Sequence, residues 1–177
     1  SAVEEQMDVE NFLLYNMLQV YIDNADWPHN NNDYWRKRTP DTRPGAPKTH
    51  DGRWRWIVYD LDQGFGLYGG TGNVSRNSLN QATNPNPSPG WDGTDRRFST
   101  VMLRNLLDNE AFRNRFINAF LDHIASTFRP SRAHAIIDRM NNEIAPVRDG
   151  EHRTRWGGMM SSNNHVDIMK QFASQRP

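Results

Sequence analysis

Hydrophobic and polar positions fall into blocks of different period along this chain. From about Met7 to Ile22 the sequence carries Phe12, Leu13, Leu14, Tyr15, Met17, Leu18, Val20, Tyr21 and Ile22. Asn16, Gln19 and Asp23 recur three and four apart among them as a narrow polar stripe. That pattern predicts a helix buried on most sides. Asp23-Asn24 ends it and Pro28 forbids its continuation, so Asp23 to Asn32 reads as a loop at its C-terminal end.

The next blocks are short and aromatic. Asp33 to Arg38 pairs most simply with Arg53 to Asp60, where Trp54, Trp56, Ile57, Val58 and Tyr59 favour a strand. Thr39 to Gly52 is rich in proline and glycine, so the pair reads as a hairpin with a long turn. Leu67 to Phe98 turns to Gly, Asn, Ser, Thr and Pro, and residues 67–98 are expected to form one long irregular loop without core. Helical spacing returns near Ser99. Phe112, Phe116, Phe120, Ile124 and Phe128 stand four apart over Asn109 to Phe128, with Ile117 and Leu121 beside them. Pro130-Ser131 opens another helix, in which Ile137, Met140, Ile144 and Val147 recur and which Pro146 is expected to bend or end. A last helix, about Asn164 to Ser174, places Val166, Met169 and Phe172 along one side. The expected fold class is α+β and mostly helical, in a single domain over residues 1–177.

Composition narrows the function classes. The 177 residues hold 21 Lys+Arg against 21 Asp+Glu, with no cysteine. Zero formal charge removes the broad field by which a protein binds nucleic acid or anionic membranes non-specifically, so no nucleic-acid partner is expected. No apolar run approaches the roughly 18 residues of a membrane span. Lack of cysteine excludes disulfides, thiolate catalysis and Cys-based zinc sites.

Candidate chemistry concentrates in two places. The loop Asp23-Asn24-Ala25-Asp26-Trp27-Pro28-His29-Asn30-Asn31-Asn32 gathers carboxylates and carboxamides behind a buried helix. The second aromatic block ends in Tyr59-Asp60-Leu61-Asp62-Gln63-Gly64-Phe65-Gly66, and along an extended strand Asp60 and Asp62 would project to one face. Two carboxylates and an Asn carbonyl form a partial shell for a hard divalent cation, with phosphates and water completing it. Asn31 follows Asp26 by the interval that separates base and metal ligand in a protein-kinase catalytic loop, and an Asp before Phe-Gly would supply the other ligand.

Competing readings attach to the same residues. Asp and Asn after a helix also act as caps and turn formers. An EF-hand beginning at Asp60 fails, because Thr71 stands where a bidentate Glu is needed. Gly64, Gly66, Gly69 and Gly70 lack the lysine of a phosphate-binding loop and more simply permit tight turns. The six histidines show no helical zinc spacing, and His29 reads as a solvated turn residue. Trp27, Trp35, Trp54 and Trp56 could stack on sugars or bases, although paired strands more often use such rings as core.

Three segments in order carry a family resemblance: Met7-Asp8-Val9-Glu10-Asn11-Phe12-Leu13-Leu14-Tyr15, then Asn24-Ala25-Asp26-Trp27-Pro28-His29-Asn30-Asn31, then Trp54-Arg55-Trp56-Ile57-Val58-Tyr59-Asp60-Leu61-Asp62-Gln63-Gly64-Phe65-Gly66. Together they resemble the CotH family, the spore-coat-protein-H-like atypical protein kinases. Leu103 to Phe116 and Ile137 to Trp156 are similar to the family's helical tail. The resemblance implies a kinase-like C-terminal lobe whose hairpin carries the acidic site. It also implies transfer of the ATP γ-phosphate to protein Ser or Thr with Mg²⁺ or Mn²⁺. In it Asp26 matches the catalytic-loop Asp, Asn31 the metal-binding Asn and Asp60 the metal-binding Asp, with Asp62 in support.

A kinase further needs an N-terminal lobe with a lysine that pairs with phosphate. Lys37, Lys48 and Lys170 are the only lysines, and none precedes the catalytic loop. The chain is therefore expected to be a portion of a longer bacterial protein, inactive alone, with a surface or secreted location implied by the resemblance only. The alternative expectation is a non-catalytic scaffold module that binds protein or glycan through its aromatics and long loop. A third is different phosphotransfer or hydrolase chemistry on the same metal site.

Overall fold

A computed structural model describes residues 2–40, 42–43, 45–67, 73–87, 96–157 and 162–176. The elements are α1 (Ala2–Gln6), α2 (Val9–Ile22), β1 (Tyr34–Trp35), β2 (Arg55–Trp56), a 3₁₀ turn (Asn73–Ser75), α3 (Ser78–Thr83), α4 (Arg96–Ser99), α5 (Val101–Asp108), α6 (Glu110–Ala125), α7 (Pro130–Val147), a π turn (Arg148–His152), α8 (Arg153–Trp156) and α9 (Ser162–Gln175). The architecture is α+β and mostly helical, with one two-stranded antiparallel sheet among the described residues.

Helix α2 carries the largest share of the buried apolar residues. Asp8 caps it, accepting the Asn11 amide at 3.2 Å. Phe12, Leu13, Tyr15, Met17, Val20 and Ile22 are all buried, as a helix apolar around its circumference must be. The stripe Asn16, Gln19 and Asp23 is buried as well. Polar groups there require internal partners, because burial without them costs more than a helix position returns. Asn16 bonds the Phe12 carbonyl, Gln19 receives Asn24, and Asp23 receives Ser78 and pairs with Arg76.

The hairpin forms where expected but is brief. Tyr34 pairs with Trp56 and Trp35 with Arg55. Trp54 bridges in parallel to Met7 at the α1–α2 junction. Trp56 packs edge-on against Phe12 at 4.6 Å, so part of the aromatic set serves the core, while Trp35 stays exposed.

Two expectations need correction. Residues 67–98 do not form one coreless loop: α3 lies within them, Asn77 caps it, and Ala82 and Ser78 are buried where α3 meets α2 and α5. A single alanine with a cap suffices to dock so short a helix. Residues 68–72 and 88–95 of that stretch fall outside the described set. Pro146 does mark the end of α7, which stops one residue later at Val147; the chain then widens into the π turn. The packed face of α7 is also narrower than the sequence pattern, since Ala133 and Ile137 are buried while Met140, Ile144 and Val147 are exposed. On α6 the Phe112–Phe116 row is buried as expected, whereas Ile117 and Leu121 face outward.

Candidate active site

The loop after α2 begins with a left-handed residue, Asp23, at φ 54°, whose amide closes onto the Gln19 and Val20 carbonyls. Asn24, almost fully buried, turns its side chain inward: Oδ1 accepts the Asp26 amide at 3.1 Å and Nδ2 donates to Gln19 Oε1 at 3.0 Å. Asp26, Trp27 and Asn31 are buried too. The Trp27–Pro28 peptide is cis. Asn30 donates its amide to the Asp26 carbonyl at 3.0 Å, so the loop folds back and brings Asn31 toward Asp26.

Asn31 joins the two sequence segments. Its Nδ2 lies 3.5 Å from Asp26 Oδ2 and 3.0 Å from the carbonyl oxygen of Asp60. Asn31 and Asp60 both adopt left-handed backbone, at φ 53° and 49°. That conformation is uncommon for non-glycine residues and collects at functional positions. The Tyr15 hydroxyl holds the Asn31 carbonyl at 2.8 Å.

Asp60 is not on a strand. Pairing stops at Trp56, and the left-handed turn at Asp60 replaces the extended geometry by which Asp60 and Asp62 were expected to share a face. The two carboxylates still meet. Asp60, although exposed, has its carboxyl raised above the usual range by partial loss of water, then by the charge and hydrogen bond of Asp62, then by the charge of Asp26. Like charge pressing on the Asp60 carboxyl is an arrangement that a cation relieves. Past them the Gly64 amide closes onto Leu61, and the Phe65 amide onto the last carbonyl of α2 at 2.7 Å. The glycines thus serve close packing: a Cβ on Gly64 would lie 3.1 Å from Ile22 Cδ1. His29 is not solvated, for both ring nitrogens are buried.

Among the described residues no group of three or more His, Asp or Glu side chains is disposed to enclose a metal ion by itself. The donor set suits a cation held by one or two carboxylates, with the rest of its shell coming from phosphate and water, which is how Mg²⁺ commonly sits beside nucleotides. Asp60, Asp62 and the Asn31 amide oxygen are the groups that would hold it. Sequence reasoning did not identify Tyr15, Gln19 and Asn24 as supports of this loop. Their signal was polar atoms inside an apolar helix and at its cap.

A mostly helical α+β domain with a polar loop behind a buried helix, and an acidic turn after a hairpin, has the organisation of a kinase-like lobe. The chain belongs to the CotH kinase protein family, whose model matches residues 1–177. No curated protein and no solved structure matches it.

Proposed function

We propose that this chain carries the phosphotransfer site of a protein kinase, moving the ATP γ-phosphate to a Ser or Thr hydroxyl of a protein substrate. The observation that carries this reading is the position of the Asn31 amide between Asp26 and Asp60, which draws together two segments 29 residues apart. Asp26 orients the attacking hydroxyl and takes its proton as the oxygen–phosphorus bond forms and the bond to ADP breaks. Asn31 fixes the Asp26 carboxylate, and Asp60 with Asp62 keeps a concentrated negative charge facing the phosphates. A divalent ion bound to those carboxylates, Mg²⁺ or Mn²⁺, supplies charge neutralisation at the transferring phosphoryl group. The test is phosphate transfer from labelled ATP, with Mg²⁺ and with Mn²⁺, by this chain within the longer kinase expected to carry it. Asp26→Ala is expected to lower the rate about 10²- to 10⁴-fold, and Asp60→Ala to abolish the metal-supported transfer. Full activity in both variants contradicts the proposal.

A second reading has its own observation. Behind the loop lies a cavity of about 770 Å³ lined by aromatic rings, among them Trp27, Tyr34, Trp54, Trp56 and Phe98, and, among the described residues, by no charged side chain. A scaffold module would bind an uncharged partner group there. It predicts a ligand response that survives loss of both Asp26 and Asp60.

A further inference from the structure

Three buried polar side chains stand behind the acidic loop with no part in the chemistry assigned above. Tyr15 and Gln19 lie one turn apart on α2, and Asn24 follows the helix cap; their exposures are 3%, 0% and 1%. Each reaches the loop or a residue that does. Asn24 Oδ1 accepts the amide of Asp26 at 3.1 Å, its Nδ2 donates to Gln19 Oε1 at 3.0 Å, and the Tyr15 hydroxyl donates to the carbonyl of Asn31 at 2.8 Å. Gln19 also acts on Tyr15, opposing part of the rise that burial imposes on the phenol.

We infer that Tyr15, Gln19 and Asn24 form a single brace whose task is to fix the Asp26 backbone against that of Asn31, making them positioning residues for the phosphotransfer site. The inference rests on the function proposed above, but the brace itself is read from geometry.

Energetics favour a dedicated role. The buried side of a helix is most simply filled with Leu or Met, yet position 19 holds a glutamine whose Nε2 is buried and, among the described residues, makes no hydrogen bond. Such an orphan donor is a standing cost to the fold. The bond that Gln19 does make goes to Asn24, hence to Asp26, so the cost is offset in loop geometry. The two arms end on the two residues whose separation matters. Asn31 also holds a left-handed conformation, at φ 53°, which the Tyr15 bond to its carbonyl helps to retain.

The test compares Tyr15→Phe, which keeps ring volume and removes one bond, with Asn24→Ala, which removes both Asn24 bonds. Amide hydrogen exchange followed by NMR reads the brace without any need for activity. Exchange at the Asp26 and Asn30 amides is expected to quicken about tenfold in Asn24→Ala while α6 amides hold their rates, because only local opening is eased. In phosphotransfer, kcat is expected to fall about tenfold in each variant with KM for Mg-ATP little changed, the mark of lost positioning. The double variant should lose less than the product of the single losses, since both arms end on the one loop that holds Asp26 and Asn31.

Unchanged loop exchange overturns the brace. So does loosening that extends equally to α6, which signifies general destabilisation, and so does quickened exchange with an unaltered kcat. Single effects that multiply signify two separate anchors and overturn the shared brace. Should the unsubstituted protein transfer no phosphate, the functional reading falls and the exchange data alone decide whether the brace exists.

Discussion

Asn31 donates its side-chain amide to the carbonyl oxygen of Asp60 across 3.0 Å, so a loop that follows a helix and a turn that follows a hairpin are held as one unit. Both residues pay for that meeting with left-handed backbone. The consequence is a patch where the charges of Asp62 and Asp26 act on the carboxyl of Asp60.

Asp60 should therefore weigh on the metal-free fold. Its carboxyl is raised, so the folded state holds the proton more firmly than the unfolded state does. The associated stability is fully present below the ordinary carboxyl value and is lost as pH rises through the raised one. Asp60→Asn is expected to melt higher than the unsubstituted protein at neutral pH without metal, with the gap closing in acid. Melting curves against pH check this, and a gap that widens on acidification contradicts it.

Asp51 behaves in the opposite sense. Arg55 grips it through two nitrogens at 2.8 and 2.7 Å and reaches Asp8 at 3.1 Å, with all three residues buried. The Arg55 guanidinium holds the Asp51 carboxyl well below the usual carboxylate range. This contribution is present above the ordinary carboxyl value and is lost as pH falls through the depressed one. Arg55→Met takes the shared cation from two buried carboxylates, leaving Asp51 with Arg53 at 2.8 Å, and is expected to cost about 3 kcal/mol in urea unfolding. The variant's deficit should shrink as pH is lowered and those carboxylates take up protons.

Gly66 is a glycine by necessity. Its φ is +73°, and a Cβ would meet Phe172 Cδ2 at 3.2 Å. Gly66→Ala is expected to destabilise by about 1–3 kcal/mol. It should also quicken exchange on α9, whose Phe172 must shift to make room.

How far the sequence revealed this molecule varies by element. The apolar run of α2, the four-residue phenylalanine spacing of α6 and the paired aromatic blocks specify their elements locally, because burial imposes the pattern. Helix α3 was hidden because its docking needs only Ala82 and the cap at Asn77. The π turn after Pro146 was hidden because a proline says where a donor is missing, not how the ladder resumes. Asp26, Asn31, Asp60 and Asp62 could be listed from type and spacing. That Asn31 would reach the backbone of Asp60, or that Gln19 would be buried to serve Asn24, depends on a turn at Asp60 and a cap at Asp23, which no periodicity announces.

The most direct measurement is Mn²⁺ titration, by electron paramagnetic resonance, of the unsubstituted protein and of Asp60→Ala in the presence of a non-hydrolysable ATP analogue. Saturable binding is predicted, weakened at least about tenfold by the substitution. Equal affinity in the two proteins, or no binding in either, contradicts the claim that this acidic turn and the Asn31 loop together hold a nucleotide-bound cation.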